Sequence, residues 1–233
     1  MQQLVLDIGA PAAPTFDNFV PGRNGELLAA LHRLIAGHGD NFVYLWGAAG
    51  SGRSHLLRAT AAALEADGRV SRYVACGRDT LPDAVATGTA LVLDDVDRLD
   101  AADQIAAFNF YNRIREDGGA LIAGGALPAA ALQLRADLVT RLAWGLVYEV
   151  HGLSDDEKKR ALKQHARGRG FELSDDACRY LLDHARRDMP SLLALLDALD
   201  RQSLAAKRAI TLPLIREVLK GGEARGVRGD EQT

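Results

Sequence analysis

The chain has 233 residues, 48% of them hydrophobic and 25% charged, with a formal net charge of −3. That is enough apolar material to bury one large domain, or a medium domain and a small one, and the near-neutral balance excludes a polybasic nucleic-acid or membrane-surface protein. Charge is nonetheless uneven: residues 1–150 hold 12 Lys and Arg against 17 Asp and Glu, whereas residues 151–220 hold 14 against 11.

That second segment is too weakly basic to form a DNA-binding stripe, so nucleic acid is not expected as the main partner; a weak DNA contact stays open. No apolar run is long enough to span a bilayer, since Ala120 to Leu132 is broken by Gly124, Gly125 and Pro128, and no membrane association is expected. The N-terminus lacks a basic segment ahead of an apolar one, so no export signal is expected. Cys76 and Cys178 lie far apart without metal-ligand spacing, which predicts reduced thiols in a reducing compartment. The six histidines are scattered, and none is assigned a catalytic or transition-metal role.

Met1 to Ile8 is followed by Gly9 to Pro14, a Gly/Ala/Pro linker that cannot continue a helix. The first stretch reads either as an edge strand or as a short peptide held out for a groove on another protein. Thr15 to Gly22 follows with two phenylalanines, then a helical pattern from about Asn24 to Ala36 with Leu27, Leu28, Leu31 and Leu34 on one face.

Phe42 to Trp46 reads as a buried strand, Gly47 to Gly52 as a glycine-rich turn, and a helix begins near Arg53 and runs to Ala66. Gly47 and Gly52 occupy the glycine positions of the phosphate loop G-x-x-x-x-G-K-[ST], whose backbone N–H groups converge on one anion. Gly47, Gly50, Ser51, Gly52, Arg53, Ser54 and His55 are therefore candidate nucleotide-binding residues, with Ser54 supplying a hydroxyl for Mg²⁺. Arg53 replaces the usual lysine. A planar guanidinium is no substitute for a compact ammonium between phosphates, so binding is expected to survive and hydrolysis to suffer. Phe19 and Val20, upstream of the loop, are candidates for the wall of an adenine pocket.

Val70 to Ala75 is a second strand, and Ala90 to Asp94 a third that runs into Asp95. Two carboxylates at the carboxyl end of a buried strand complete a nucleoside-triphosphate site. Asp94 would hold Mg²⁺ through water, and Asp95 would stand where a base orients an attacking water. A helix follows at Ile105 to Arg115, then strands at Ala120 to Gly124 and Leu146 to Val150. Strands alternating with helices predict a parallel sheet covered on both faces. From Ser154 only helical patterns remain, at about 154–168, 174–186, 190–206 and 211–220, opened by Ser154-Asp155-Asp156-Glu157, Ser174-Asp175-Asp176 and Thr211-Leu212-Pro213.

A phosphate loop, an Asp-Asp strand end, an arginine before the last strand and a helical lid resemble the AAA+ ATPases. Within them the chain resembles the DnaA branch and its regulatory inactivators, the Hda family. The resemblance runs from Gln3 to about Lys220. It rests on Phe16-Asp17-Asn18-Phe19, Gly52-Arg53-Ser54-His55-Leu56-Leu57, Phe110-Tyr111-Asn112-Arg113, Arg141-Leu142-Ala143-Trp144-Gly145, Leu153-Ser154-Asp155 and Arg169-Gly170-Phe171-Glu172-Leu173.

The resemblance implies an AAA+ P-loop core with a five-stranded parallel sheet over 15–152 and a small all-α lid over 153–220. Residues 1–14 would be a clamp-binding peptide and linker, and 221–233 a disordered tail. It further implies a negative regulator of replication initiation. Gln3, Leu4 and Leu6 would bind the DNA polymerase III β sliding clamp on DNA, and Arg141 would be an arginine finger presented in trans to ATP held by DnaA. The chain itself would carry ADP (or ATP) with Mg²⁺ linked through Ser54 and Asp94, would work in the bacterial cytoplasm at the replisome, and would be an adaptor with a weak ATPase of its own. Homo-oligomerisation stays open. Departures from the ATPase pattern point the same way: Gly124-Gly125-Ala126 offers no polar side chain to read a γ-phosphate, and Pro190 stands where the lid is expected to carry an arginine.

Two other readings compete. One is an autonomous AAA+ ATPase of the helicase-loader type using Ser54, Asp94 and Asp95, which the weakened γ-phosphate contacts disfavour. The other is a DNA-binding initiator, which the length left beyond the lid is expected to exclude.

Overall fold

The computed structural model describes residues 12–206 and 209–226. It divides into two units, one over Pro14–Gly152 and one beginning at Leu153.

The first unit is built on five parallel strands, β1 (Phe42–Trp46), β2 (Ser71–Ala75), β3 (Ala90–Asp94), β4 (Ala120–Gly125) and β5 (Leu146–Glu149), in the order β2-β3-β4-β1-β5. The expected α/β fold with a five-stranded parallel sheet is borne out. β3 and β4 are buried along their whole length, which explains their unbroken apolar sequence. Successive side chains alternate between the two faces of the sheet. Val43, Leu45, Ala90 and Val92 join Leu27, Leu31 and Leu34 of α1 (Gly25–Ile35) and Leu56, Leu57 and Leu64 of α2 (Arg53–Ala66) in one core. Tyr44, Leu91 and Leu93 face the other way, onto Phe110, Tyr111 and Ile114 of α3 (Ala101–Asp117) and onto Leu138 and Leu142 of α4 (Ala136–Leu142). Each fully buried leucine contributes about 1.5–3 kcal/mol of transfer free energy.

Two elements differ from expectation. α3 starts at Ala101, where Asp100 accepts hydrogen bonds from the N–H groups of Ala102 and Asp103; the first turn has little apolar periodicity, so the cap sets the start. α4 was not anticipated as a helix. Its seven residues make barely two turns with two buried anchors, too few for a 3.6-residue pattern to register.

The second unit has four helices, α5 (Asp155–Gly168), α6 (Asp175–His184), α7 (Met189–Ala206) and α8 (Leu212–Gly226), and no strand among the described residues. Ser154 and Glu157 form a reciprocal capping box at α5, and Ser174 accepts from the Ala177 N–H at α6. Asp188 accepts from the Ser191 N–H at the start of α7, so Pro190 lies in the first turn, where its missing N–H costs nothing. Leu162, Leu181, Leu192, Leu196, Leu199 and Ile215 fill the unit's own core. α8 continues to Gly226, beyond the expected end near Lys220. Among the described residues no helix is long and apolar enough to cross a membrane. Both cysteines are buried and unpaired, and burial, with Asp94 and Asp103 nearby, pushes the Cys76 thiol up to about 12.

Candidate functional site

The site is assembled at the carboxyl end of the sheet, where β4 lies between β1 and β3. The chain leaves β1 into Gly47–Gly52 and enters α2 at Arg53. Gly50 (φ +78°) and Gly52 (φ +100°) are left-handed, a conformation in which a Cβ is strained. Gly47 needs its missing side chain for another reason: a Cβ there would stand 2.7 Å from the Val150 carbonyl oxygen. No side chain caps the N-terminus of α2, so the N–H groups of its first turn face outward as donors at the positive end of the helix dipole. Ser51 Oγ is buried without a hydrogen-bond partner. An uncapped helix start joined to a glycine loop with an orphaned hydroxyl fits an anion such as a phosphate.

The segment before α1 is seated on this loop. Phe19 lies where a Cβ on Gly52 would come within 2.8 Å of its ring, and its ring centroid is 5.4 Å from that of His55. His55 Nε2 is 2.8 Å from the Thr15 carbonyl oxygen. Phe19, Gly52 and His55, all candidates from sequence, are thus brought together, with Val20 half-buried next along the chain. Asn24 was missed. It is 2% exposed, donates from Nδ2 to the Pro21 and His151 carbonyls (3.0 and 2.9 Å), and accepts from the His151 N–H (2.8 Å). It ties the start of α1 to the chain leaving β5; its only sequence signal was an asparagine at a helix start.

Arg53 departs from expectation. It was grouped with the phosphate contacts, but the residue is 9% exposed and its side chain runs across the end of β4. Nη1 donates to the carbonyls of Gly47 (2.9 Å) and Gly125 (2.8 Å), Nη2 donates to Asp95 Oδ1, and Nε lies 3.6 Å from Asp94 Oδ1. Gly124 makes the room, since a Cβ there would stand 3.1 Å from Arg53 Cδ and 2.6 Å from Leu57 Cδ1. At Gly125 a Cβ would collide with the Tyr44 hydroxyl, which donates to the Leu127 carbonyl at 2.6 Å. Burial and the neighbouring Asp97 push the Tyr44 phenol far above its ordinary value, so it stays a donor. The two glycines read at first as a lost γ-phosphate contact also accommodate the arginine stem and the tyrosine.

The carboxylates are engaged. Asp94, 3% exposed, accepts from Tyr73 Oη at 2.7 Å and from the Asp95 N–H at 3.0 Å. Burial and that bond raise the Tyr73 phenol well above its usual range. Asp95 has φ +55°, the one non-glycine positive φ among the described residues, and its carboxylate faces Arg53 and, at 3.9 Å, Arg98. Such strain costs about 1–3 kcal/mol and persists only where surroundings enforce it; here the Asp95 N–H donates to Asp94, its carbonyl accepts from the Arg98 N–H, and its side chain is paired with Arg53. Asp95, expected at the base position, is thus engaged with Arg53. Ser54 and Asp94 were expected to share Mg²⁺. Here the position between the acids is held by a guanidinium, with Arg53 against both carboxylates and one hydrogen bond already on each Asp94 oxygen, a poor fit for a further cation.

Arg141 lies in the last turn of α4, half-buried. Its guanidinium sits 4.9 Å from the ring centre of Trp144, 5.5 Å from Tyr111 and 5.7 Å from Phe108, and among the described residues it makes no ion pair. The carboxylate one turn earlier, Asp137, is held by Arg135 at 2.8 and 3.2 Å, which keeps it well below the usual carboxylate range. Trp144 is 60% exposed and also lies under Arg115. Gln3, Leu4 and Leu6 lie outside the described residues.

Residues 155–219 match the family model described as the Hda lid domain, and residues 12–81 match the bacterial DnaA ATPase domain. Among solved structures, domain III of the Thermotoga maritima replication initiation protein DnaA superposes with a TM-score of 0.67 at 17% identity, covering 90% of this chain and 96% of that one. AMPPCP-bound DnaA from Aquifex aeolicus gives 0.64 at 18%, covering 84% and 70%. A Thermotoga maritima RuvB mutant gives 0.64 at 17%, covering 89% and 72%. At these identities the structures establish the fold alone, shared with DnaA and RuvB.

Proposed function

We infer from the premise that this chain is an Hda-like, DnaA-related AAA+ protein that it is a negative regulator of replication initiation. It would bind the DNA-loaded β sliding clamp and stimulate hydrolysis of the ATP held by DnaA, from the bacterial cytoplasm. The observation that carries this reading is Arg141, a guanidinium held by three aromatic rings with no carboxylate paired to it among the described residues. Aromatic faces hold a cation in place without neutralising it, each contact contributing about 0.5–1 kcal/mol at exposed sites. A charge so held can be given to the γ-phosphate of a neighbouring molecule, where it stabilises charge developing in the transition state.

The chain's own pocket plays the opposite part. The loop and the Phe19–His55 wall support nucleotide binding, and the AMPPCP-bound DnaA neighbour has the same fold. Arg53 holding Asp95, and the Tyr44 hydroxyl filling the space beside Gly125, argue for ADP retained with little turnover. The helicase-loader alternative would need Asp95 free to act as a base.

The clamp contact is assigned to Gln3, Leu4 and Leu6 on the Gly9–Pro14 linker. Deleting residues 1–8 is expected to abolish co-migration with the clamp on gel filtration and to remove clamp-dependent acceleration of ATP hydrolysis by DnaA. Persistent co-migration would move the contact elsewhere.

A further inference from the structure

We propose that the Arg53 guanidinium takes the place of the divalent cation at this site, so that the chain binds a nucleoside diphosphate without magnesium. The inference rests on reading the Gly47–Ser54 loop as a nucleotide site.

Two carboxylates at the end of β3 ordinarily repel a phosphate unless a cation stands between them. Here Arg53 supplies that positive charge from within the fold, bonded to Asp95 and 3.6 Å from Asp94, with Arg98 as a second, exposed counter-charge. Magnesium requires a near-ideal octahedral oxygen shell and gives up its waters reluctantly. Each Asp94 oxygen already accepts one hydrogen bond, from Tyr73 Oη and from the Asp95 N–H, and Arg53 Nε stands 3.6 Å from Oδ1, so a metal would have to compete with fixed donors for them. To admit the ion, Arg53 would have to swing out. The buried Gly47 carbonyl would then lose its side-chain donor, the Gly125 carbonyl would keep only the Gly47 N–H at 3.3 Å, and the space beside Gly124 that the stem fills would open. A cation entering beside the guanidinium would also meet like charge.

The anion, by contrast, is provided for separately: by the uncapped first turn of α2 and by the unpartnered hydroxyl of Ser51. A diphosphate can therefore be held by backbone donors while Arg53 screens the acids behind it.

The test is calorimetric titration of the nucleotide-free full-length chain with ADP, in excess magnesium chloride and in EDTA. The expected dissociation constants agree within about threefold, or are tighter in EDTA. A loss of about tenfold or more in EDTA would overturn the proposal while leaving the nucleotide site intact. Absence of binding in both buffers would overturn the nucleotide reading itself and the proposal with it. Arg53→Lys, a shorter cation unable to bridge both carbonyls and Asp95, is expected to make ADP binding magnesium-dependent. A lysine variant that folds and stays indifferent to EDTA would show that Arg53 is not the stand-in, and the wild-type titration decides the question should that variant not fold.

Discussion

Replacing Arg141 with alanine is expected to abolish the stimulation of ATP hydrolysis by DnaA while leaving clamp co-migration at the wild-type level. An arginine supplied in trans is worth about 10³–10⁵ in rate, so its removal should take away nearly all the acceleration. The fold should tolerate the change. Arg141 is half-buried in a seven-residue helix, makes no ion pair among the described residues, and its loss leaves no buried charge behind. Arg141→Lys sharpens the reading. Lysine keeps the charge but lacks the planar fork that stacks on Trp144 and matches phosphate oxygens, so it should recover little of the rate. Single-turnover hydrolysis on ATP-loaded DnaA, with circular dichroism as a folding control, checks both variants. Undiminished stimulation by the alanine variant would remove Arg141 from the mechanism.

Arg53→Ala should have the largest effect on stability. Removing one partner of a buried ion pair costs about 3–5 kcal/mol, because the remaining charge stays buried and uncompensated. Here the truncation leaves Asp94 at 3% exposure without its counter-charge, removes the side-chain donor of the buried Gly47 carbonyl and leaves the Gly125 carbonyl only the Gly47 N–H. Against a domain stability of about 5–15 kcal/mol, that is a large share. Urea denaturation of the full chain should show the transition of the Pro14–Gly152 unit moved to lower denaturant. The double variant Arg53→Met with Asp95→Asn should recover part of the loss, since it fills the space beside Gly124 and removes one stranded charge. A single alanine variant as stable as wild type would mean that the arginine does not hold this edge of the sheet.

Much of this architecture could be read from residue order, and the reason is physical. β1, β3 and β4 are covered on both faces and so appear as uninterrupted apolar runs at Phe42–Trp46, Ala90–Asp94 and Ala120–Gly125. The lid helices announce themselves through Ser154 and Ser174, whose capping bonds are local. The orientation of Arg53 could not be read in the same way. It depends on Gly124 and Gly125, about seventy residues away, lying beside it, and on a left-handed turn at Asp95 that no local pattern signals. Asn24 escaped notice likewise, because its decisive partner, His151, is 127 residues distant. The pairing of Asp137 with Arg135, which leaves Arg141 without a carboxylate among the described residues, is short-range, but α4 is too brief for its periodicity to have exposed it.

The most direct measurement of the central claim asks which nucleotide is consumed. DnaA and this chain are each loaded with ATP carrying a different γ-phosphate label, mixed with DNA-loaded clamp, and the released phosphate is assigned to its source. The account predicts rapid release of the DnaA label, dependent on Arg141, and release of this chain's own label near the uncatalysed background. Fast release of the chain's own label, or release of the DnaA label unchanged in the Arg141→Ala variant, would contradict it.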